Sequence, residues 1–425
     1  MASTAPAPVA TSAHHATGTR LTWLVALLAL SVLLNYVDRG AIGIAAPVMK
    51  DELQLSATEF GIGVSAFFWA YAPLCLLMGW LCDRFCVYRV FALGLALWAL
   101  STVLTGFVGG LSALVMLRIG LGIGEAVSFP GSSKIFAAQV PVERRGIANA
   151  AVAAAIAFGP AVGSLAGGTI LILGGWRPIF WIFGAITLLW LVPWRALTKP
   201  LQAGPFSQPT AGRLGLWKLV CTPALWLMGA AHFLSNYGFY FLITWLPLWL
   251  VKTMGYSIQA MTALTTLGFV MQGVAALAVG HWSDRRVAAG ADEGTLRRRL
   301  MIFGHLATAA AIGGIYFSGS AWELGAWLIL AGIGTSQIST NLFAIGQIFA
   351  GPRAAGGWIG MQNSLGNISG IVGPIVTGMI IDAYGGFGWG FALASGVAAS
   401  GAVWWAWAVP EIRQLDRTEH ADTFA

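Results

Sequence analysis

The stretch Leu33-Leu34-Asn35-Tyr36-Val37-Asp38-Arg39-Gly40 places two adjacent charges inside a long apolar segment. Apolar residues precede the pair, and the segment continues beyond it through Val48. A charged residue at the centre of a bilayer costs at least roughly 2.5–3.5 kcal/mol on insertion scales, and such residues usually mark an ion, proton or substrate path. The stretch therefore predicts a membrane helix whose charges have a function.

The composition indicates a polytopic membrane protein. Of the 425 residues, 57% are hydrophobic and 9% are charged, whereas a soluble globular domain has about 25% charged residues. The four cysteines do not form the pattern of a secreted disulfide framework, and Cys82 and Cys86 have no second ligand pair nearby. We therefore expect free thiols, no metal site and no cofactor. The chain also lacks the Gly-x4-Gly-Lys-Ser/Thr loop of a nucleotide-driven motor.

Twelve apolar stretches are long enough to cross a hydrocarbon layer of roughly 30 Å. They predict an all-α polytopic protein with twelve transmembrane helices, at 22–48, 57–81, 88–108, 111–132, 146–173, 176–194, 224–250, 259–282, 299–318, 323–346, 356–381 and 385–409. We expect two six-helix halves, at 22–194 and 224–409, joined by a cytoplasmic linker at 195–223. A disordered cytoplasmic tail without a signal peptide precedes them at 1–21, and a second cytoplasmic tail follows at 410–425.

The distribution of basic residues predicts the orientation. With the N-terminus in the cytoplasm, 18 of the 23 Lys and Arg residues fall on the cytoplasmic side, as the positive-inside rule requires. Both termini are then cytoplasmic, and a multi-pass protein of the cytoplasmic (inner) membrane is expected. The same asymmetry explains the net charge of +7 without a nucleic-acid partner.

The two halves repeat each other. The sequence Gly79-Trp80-Leu81-Cys82-Asp83-Arg84 follows the second span, and Gly280-His281-Trp282-Ser283-Asp284-Arg285 follows the eighth. Similar halves around a midplane site are the architecture of a rocking secondary transporter.

The doubled Gly-x-x-x-Asp-Arg loop, the twelve spans and the central linker resemble the major facilitator superfamily. The resemblance narrows to its anion:cation symporter family, which includes bacterial sugar-acid and organic-anion:proton symporters. The motifs that carry it are Asn35-Tyr36-x-Asp38-Arg39, Arg118-x6-Glu125-x4-Pro130-Gly131, Asn236-Tyr237-x7-Trp245-Leu246-Pro247 and Gln362-Asn363-x3-Asn367.

Helix geometry separates the two charges of the opening stretch, since successive helix residues point about 100° apart. One interpretation is a structural ion pair with a neighbouring helix. The other makes Arg39 the anchor of a substrate carboxylate, because a guanidinium matches a carboxylate with two hydrogen bonds. The resemblance implies this second role for Arg39 and proton coupling for Asp38.

Glu125 is a second predicted proton-coupling residue. It follows Arg118 by seven residues, which places both on one helix face but about 10 Å apart, so direct pairing is not expected. Arg118 would instead meet Asp38, Glu125 through water, or the substrate anion. The alternative is a Glu125 held permanently ionised by Arg118.

Neutral polar residues in mid-span complete the predicted site. The substrate-binding set comprises Arg39, Tyr71, Arg118, Tyr237, Gln362, Asn363 and Asn367, and for Tyr71 and Asn363 the resemblance adds support. The alternative role for these amides and hydroxyls is to tie neighbouring helices together by hydrogen bonds. The stretch Ala153–Phe158 is wholly apolar where the sugar-acid branch has a substrate-binding Gln, which favours a less polar acid.

The repeated loops predict conformational gating by Asp83, Arg84, Asp284 and Arg285 through charged contacts and helix-end dipoles. The alternative is that these residues only set the membrane topology.

The sequence as a whole predicts a non-enzymatic transporter that imports a small organic carboxylate with protons, sodium being less favoured, and that works in the bilayer as a monomer. An exporter or exchanger of the same fold, a membrane-embedded enzyme and a non-transporting sensor are the rival interpretations.

Overall fold

The computed structural model describes residues 18–141, 144–203 and 220–415, and this part of the chain is helical without strands. The helices of the first half are α1 (Gly18–Glu52), α2 (Ala57–Arg84), α3 (Val87–Thr105), α4 (Leu111–Glu125), α5 (Ser128–Gln139), α6 (Arg145–Gly174) and α7 (Arg177–Thr198). A short 3₁₀ helix, Lys199–Ala203, follows α7. Of the predicted tails and linker, at 1–21, 195–223 and 410–425, residues 1–17, 204–219 and 416–425 lie outside the described residues.

The helices of the second half are α8 (Pro223–Lys252), α9 (Ile258–Ala288), α10 (Glu293–Phe317), α11 (Ala321–Gly366), α12 (Ile368–Tyr384) and α13 (Gly388–Trp407). Within α11, two helical runs meet at Gly351, where φ is 62° and ψ is 172°. Glycine adopts this backbone conformation without the steric penalty that a side chain brings. The bend separates the tenth span from the eleventh.

Eleven of the described helical segments are long and apolar enough to cross a membrane. The helices α4 and α5 together form one of them, Leu111–Gln139, and the end of α11 with α12 forms another, Gly357–Tyr384. The twelfth predicted span is α13, a helix of 20 residues in which Gly, Ser and Trp lower the hydropathy. The prediction of twelve helices in two six-helix halves is confirmed.

The repeat extends to the way the helices begin. Ser56 precedes α2, and its side chain accepts a hydrogen bond from the N–H of Glu59 at 3.1 Å. Ser257 precedes α9 and accepts from the N–H of Ala260 at 3.2 Å. A serine in this position satisfies one of the free N–H groups of the first turn, so equivalent helices in the two halves start by the same local chemistry.

The halves meet along three main helix pairs: α1 with α8, α2 with α12, and α6 with α9. We call the end of the bundle where α1 gives way to α2 the distal end. There the Asp382 carboxylate of α12 accepts hydrogen bonds from the backbone N–H groups of Ala57 and Thr58, at 3.0 and 2.7 Å. Lys252 and Asp51 form an ion pair between the ends of α8 and α1. Polar contacts thus join the two halves at the distal end.

The backbones of α2 and α12 also touch there. A Cβ atom on Gly61 would lie 2.3 Å from the carbonyl oxygen of Pro374, and one on Gly378 would lie 2.4 Å from that of Ala57. Each helix therefore places a glycine against the backbone of the other, and the distal end is closed.

Candidate functional site

Asp38 lies in the middle of α1 with its side chain turned towards α3. Its Oδ2 atom accepts hydrogen bonds from the Trp98 indole N–H at 2.5 Å and from the Thr102 hydroxyl at 3.1 Å. Asp38 is 3% exposed, and its other oxygen, Oδ1, has no hydrogen-bond partner in the described protein. One oxygen of this buried carboxylate is therefore held by the protein, and the other is free to take a proton or a further donor.

Arg39 turns towards α4, and so points in a different direction from Asp38, as helix geometry predicts. Its Nε donates to Oε2 of Glu125, the last residue of α4, at 3.2 Å. The Arg39 side chain is 9% exposed and that of Glu125 is fully buried. In the described protein, the Nη2 atom of Arg39 and the Oε1 atom of Glu125 have no hydrogen-bond partner. The pair has a single point of contact, so both groups retain hydrogen-bonding capacity.

The structural ion pair and the anchoring role were alternative interpretations of Arg39. The structure shows the ion pair, with a partner on α4 that lies 86 residues away in sequence. Glu125 pairs directly with Arg39, and not with Arg118, for which no direct pairing was expected. An anchoring role then requires Arg39 to exchange Glu125 for the substrate.

Aromatic rings surround the guanidinium of Arg39. Its Cζ atom lies 5.2 Å from the ring centre of Tyr36, 5.0 Å from that of Phe67 and 4.6 Å from that of Tyr71. These distances allow cation–π attraction, which strengthens when the cation is desolvated. Tyr71 stacks on Phe67 with ring centres 5.0 Å apart, so the predicted site residue Tyr71 does lie beside Arg39.

Arg118 lies on the same aromatic ring as Arg39. Its Cζ atom is 5.3 Å from the centre of Phe67, and its Nη2 makes a long 3.5 Å contact with the carbonyl oxygen of Val64. Arg118 is 4% exposed, and its Nε has no hydrogen-bond partner in the described protein. Two buried guanidinium groups thus share Phe67, and Arg118 has unused donor capacity.

The second half contributes neutral groups. The hydroxyl of Tyr240 on α8 donates to Asn367 Oδ1 at 2.6 Å. The Nδ2 group of Asn367 donates to the backbone oxygen of Asn363 at 2.7 Å and to its Oδ1 at 3.1 Å. Asn363 in turn approaches the Cys75 sulfur of α2 at 4.0 Å. This polar chain connects α8, α11 and the first half.

On α8 the hydroxyl of Tyr240, and not that of Tyr237, joins this polar chain; the substrate-binding role of Tyr237 stays a prediction. The ring of Tyr240 lies 4.7 Å from Phe68 of α2, whereas Tyr237 packs beside Gly373 of α12. Sequence reasoning missed Tyr240, because the motif that marked this helix contains Tyr237. One signal was available: Tyr240 lies three residues after Tyr237, less than one helical turn, so the two side chains lie on neighbouring parts of the helix surface.

Gln362 does not join the central group. Its Oε1 atom accepts from the Trp358 indole at 3.1 Å, and its amide donates to the carbonyl oxygen of Leu342 at 3.4 Å. Gln362 is completely buried and ties neighbouring helical runs together. These contacts fit the helix-packing alternative for buried amides, and a substrate-binding role for Gln362 stays a prediction.

The predicted gating residues lie at the ends of α2 and α9. Arg84, Asp284 and Arg285 are exposed, and the side chain of Asp83 lies outside the described residues. Asp284 lines a cavity of ≈ 220 Å³ together with Arg297, whose guanidinium contacts Glu293 at 2.7 Å and Asn341 at 3.2 Å. The gating role of the four residues remains a prediction.

Within the described residues, no group of His, Cys, Asp and Glu side chains has the arrangement of a metal site. The central group instead combines two carboxylates, two guanidinium groups and hydroxyl and amide groups, contributed by both halves. Its chemistry suits reversible binding of an anion and of protons.

The fold of this chain is similar to that of solved transporter structures. An inward-facing, occupied structure of a bacterial homologue of the human lysosomal transporter Spinster superposes with a TM-score of 0.70 at 19% identity, covering 92% of this chain and 96% of that one. The unoccupied form of the same transporter gives 0.70 at 18% identity, with the same coverage. At these identities the similarity concerns the fold alone.

Sequence relatives are named as anion transporters. The chain is 26% identical over 396 residues to a probable sulfoacetate transporter, SauU, of Cupriavidus necator, covering 89% of this chain and 92% of that protein. It is 26% identical over 387 residues to the hexuronate transporter of Bacillus subtilis, covering 88% and 91%. The family model described as the Major Facilitator Superfamily matches residues 28–291 and 264–422. The chain therefore belongs to the major facilitator superfamily and is a multi-pass membrane transporter, not an enzyme.

Proposed function

We propose that this transporter imports a small organic carboxylate together with protons by alternating access. The observation that carries the proposal is the single-point ion pair between Arg39 and Glu125. The carboxylate of Glu125 occupies the guanidinium that would bind a substrate carboxylate. Protonation of Glu125 removes its negative charge and leaves Arg39 available to the anion. Proton binding and anion binding therefore support each other.

The charge balance of the centre gives the same coupling. With both carboxylates ionised, the charges of Asp38, Arg39, Arg118 and Glu125 sum to zero. Burying an uncompensated charge is costly, so an anion that enters this neutral group is favoured when protons enter with it. A monoanion needs one proton and a dianion needs two. Asp38 and Glu125 provide the two sites.

The substrate class follows from the groups around the charges and from the relatives. The transporters named above carry sulfoacetate and hexuronate by their names, and both are compact organic anions. Arg39 and Arg118 supply the anion-binding groups, with Tyr71, Asn363, Asn367 and Tyr240 as neutral partners. The apolar stretch Ala153–Phe158 offers no hydrogen bond to a sugar hydroxyl from its side chains. We infer a preference for acids with few hydroxyl groups.

The basic residues support an inner-membrane location with both termini in the cytoplasm. In that orientation the closed distal end, where Asp382 holds the start of α2, faces away from the cytoplasm. We propose the domain boundaries 1–21, 22–194, 195–223, 224–409 and 410–425, and a monomer as the working unit.

A thermal-shift screen of the purified protein against organic acids is the first test. The panel includes sulfoacetate, a hexuronate, aromatic monocarboxylates and inorganic phosphate. Acids that raise the melting temperature are then used as labelled substrates for counterflow in proteoliposomes. Binding without counterflow would favour the sensor, and the absence of any stabilising acid would refute the proposed substrate class.

Proton coupling is tested with the acids found in this way. Acidifying the outside of the vesicles should accelerate entry and drive accumulation, and a protonophore should abolish the accumulation. A sodium gradient at equal pH is the matched arm, since one relative is named a sodium-dependent phosphate transport protein. Entry that ignores the pH gradient but requires an internal anion would identify an exchanger, the alternative function.

A further inference from the structure

Two consecutive phenylalanines of α2 contact different parts of the molecule. Phe67 lies against the guanidinium groups of Arg39 and Arg118. Phe68 lies against the second half, with its ring centre 4.7 Å from that of Tyr240. The two phenylalanine rings are edge to face, 4.8 Å apart. This short stretch of α2 therefore connects the charged centre with the opposite half.

The ring of Phe68 fills a slot in the second half, formed by Tyr240 and Gly370. A Cβ atom on Gly370 would lie 2.6 Å from two ring carbons of Phe68. Any residue larger than glycine would therefore compete with the ring for this space. Phe68 is 5% exposed.

The slot has a fixed shape. The Tyr240 hydroxyl is held by Asn367 at 2.6 Å, and the N–H of Gly370 donates to the carbonyl oxygen of Asn367 at 3.0 Å. Asn367 thus fixes both walls. Phe68 also contacts the ring of Tyr71 edge-on at 6.4 Å, and Tyr71 is the aromatic residue nearest to the Arg39 guanidinium.

We propose that Phe68 is a positioning residue for transport, which couples the occupancy of Arg39 to the contact between the halves. When Arg39 exchanges Glu125 for an anion, the rings of Phe67 and Tyr71 have to adjust, and both touch Phe68. The ring of Phe68 leaves the slot when the halves separate at this level. Packed interiors pass between discrete arrangements rather than deforming continuously, so occupancy of the slot is a two-state event. The coupling part of this proposal rests on the proposed function, whereas the slot itself does not.

The slot is tested without substrate, by making the side chain at position 68 smaller and the one at position 370 larger, separately and together. Cys75 of α2 is the reporter, because its thiol is buried and lies 4.0 Å from the side chain of Asn363 in the second half. In a background with Cys82, Cys86 and Cys221 replaced by Ser, the rate of Cys75 labelling by N-ethylmaleimide is measured on purified protein. Phe68→Ala and Gly370→Leu should each accelerate labelling by about tenfold, and the double variant should return to within about threefold of the parent, since contacting residues couple strongly.

Phe91→Ala is the matched control, because Phe91 packs on Trp190 and Trp194 within the first half. Combining it with Gly370→Leu should give no rescue. Effects of Phe68→Ala and Gly370→Leu that multiply instead of cancelling would overturn the slot. If the large changes prevent folding, Phe68→Leu with Gly370→Ala tests the same reciprocity.

The coupling is tested with an acid that shows counterflow in the wild-type protein. Phe68→Leu should lower the maximal counterflow rate by about tenfold and leave the half-saturating concentration within about twofold, because the residue positions the halves and does not touch the anion. An altered half-saturating concentration at an unchanged maximal rate would overturn the coupling. Absence of transport in the wild-type protein would refute the proposed function and leave the labelling result intact.

Discussion

The two halves of this transporter repeat each other in helix order and in their serine-capped helices α2 and α9, yet they line the centre with different chemistry. Among the residues that the structure describes, the charged groups of the central site come from the first half: Asp38, Arg39, Arg118 and Glu125. The second half supplies the hydroxyl of Tyr240 and the amides of Asn363 and Asn367. We therefore expect the charge-dependent steps of transport to depend on the first half, and the second half to shape and close the site.

The largest expected effect comes from removing a proton site. Glu125→Gln cannot take up a proton at this position, so the protein should lose proton-driven accumulation and keep exchange of labelled for unlabelled acid. For one coupled proton, accumulation should fall from about tenfold per unit of pH gradient to about one. Uptake and counterflow in the same proteoliposomes measure both quantities.

Asp38→Asn is the companion variant on α1, and it should give the same separation of accumulation from exchange. Concentrative uptake that survives in both variants would remove the proton-coupling role from the first half and weaken the comparison between the halves.

A smaller effect is expected from Arg39→Lys. Lysine keeps the positive charge but lacks the planar fork of the guanidinium, and hydrogen bonds to charged groups contribute about 1.5–3 kcal/mol. The half-saturating concentration for the acid should therefore rise by roughly ten- to a hundredfold. Lys252→Arg, at the exposed distal ion pair, serves as the control. Wild-type affinity in Arg39→Lys would exclude Arg39 as the anion anchor.

Tyr240→Phe tests the second half. It removes the hydroxyl that bonds to Asn367 and keeps the ring against Phe68, so about 1 kcal/mol is at stake. We expect the half-saturating concentration to change by about fivefold, with the dependence on external pH unchanged. Tyr237→Phe removes a hydroxyl from the same helix, and should leave both quantities near wild type. A shifted pH dependence in Tyr240→Phe would contradict the division of labour between the halves.

The smallest effect concerns the distal end. The substitution Asp382→Asn removes the charge of a carboxylate that accepts hydrogen bonds from two backbone N–H groups at the start of α2. The interaction of such a charge with a helix N-terminus contributes about 0.3–1 kcal/mol. Labelling of Cys75 by a membrane-impermeant thiol reagent should accelerate roughly two- to fivefold, in a background without the other cysteines. Asp51→Asn breaks an exposed ion pair of the same end and should have less effect. Equal acceleration by both variants would show that Asp382 has no special role.

Much of the fold could be predicted from the sequence, because apolar length, basic loops and repeated motifs are local signals. The same is true of the divergent directions of Asp38 and Arg39, which follow from helix geometry alone. The partners of these residues are different: Trp98 and Glu125 lie 60 and 86 residues further along the chain. Which charges meet depends on how α1, α3 and α4 pack, and no local pattern contains that information.

A related limit applies to Tyr237, which the sequence predicts for the site, and to Tyr240, which it does not. The two residues lie on one helix, and only the rotation of α8 about its axis decides which ring reaches Phe68. Gln362 illustrates the same limit, since the structure satisfies its amide with Trp358 and Leu342. A buried polar residue in a membrane helix marks a need for a partner, and the sequence does not say whether that partner is a substrate.

The reciprocal glycines Gly61 and Gly378 also bear on leakage. At each of them, a single added carbon would collide with a carbonyl oxygen of the opposite half, so the fit at this point is finer than one methyl group. Surfaces that match so closely are either in full contact or apart, and a partly open gap wide enough for a file of water molecules is disfavoured. Under the proposed proton coupling this property preserves the gradient, because a continuous file of water molecules would conduct protons between transport cycles.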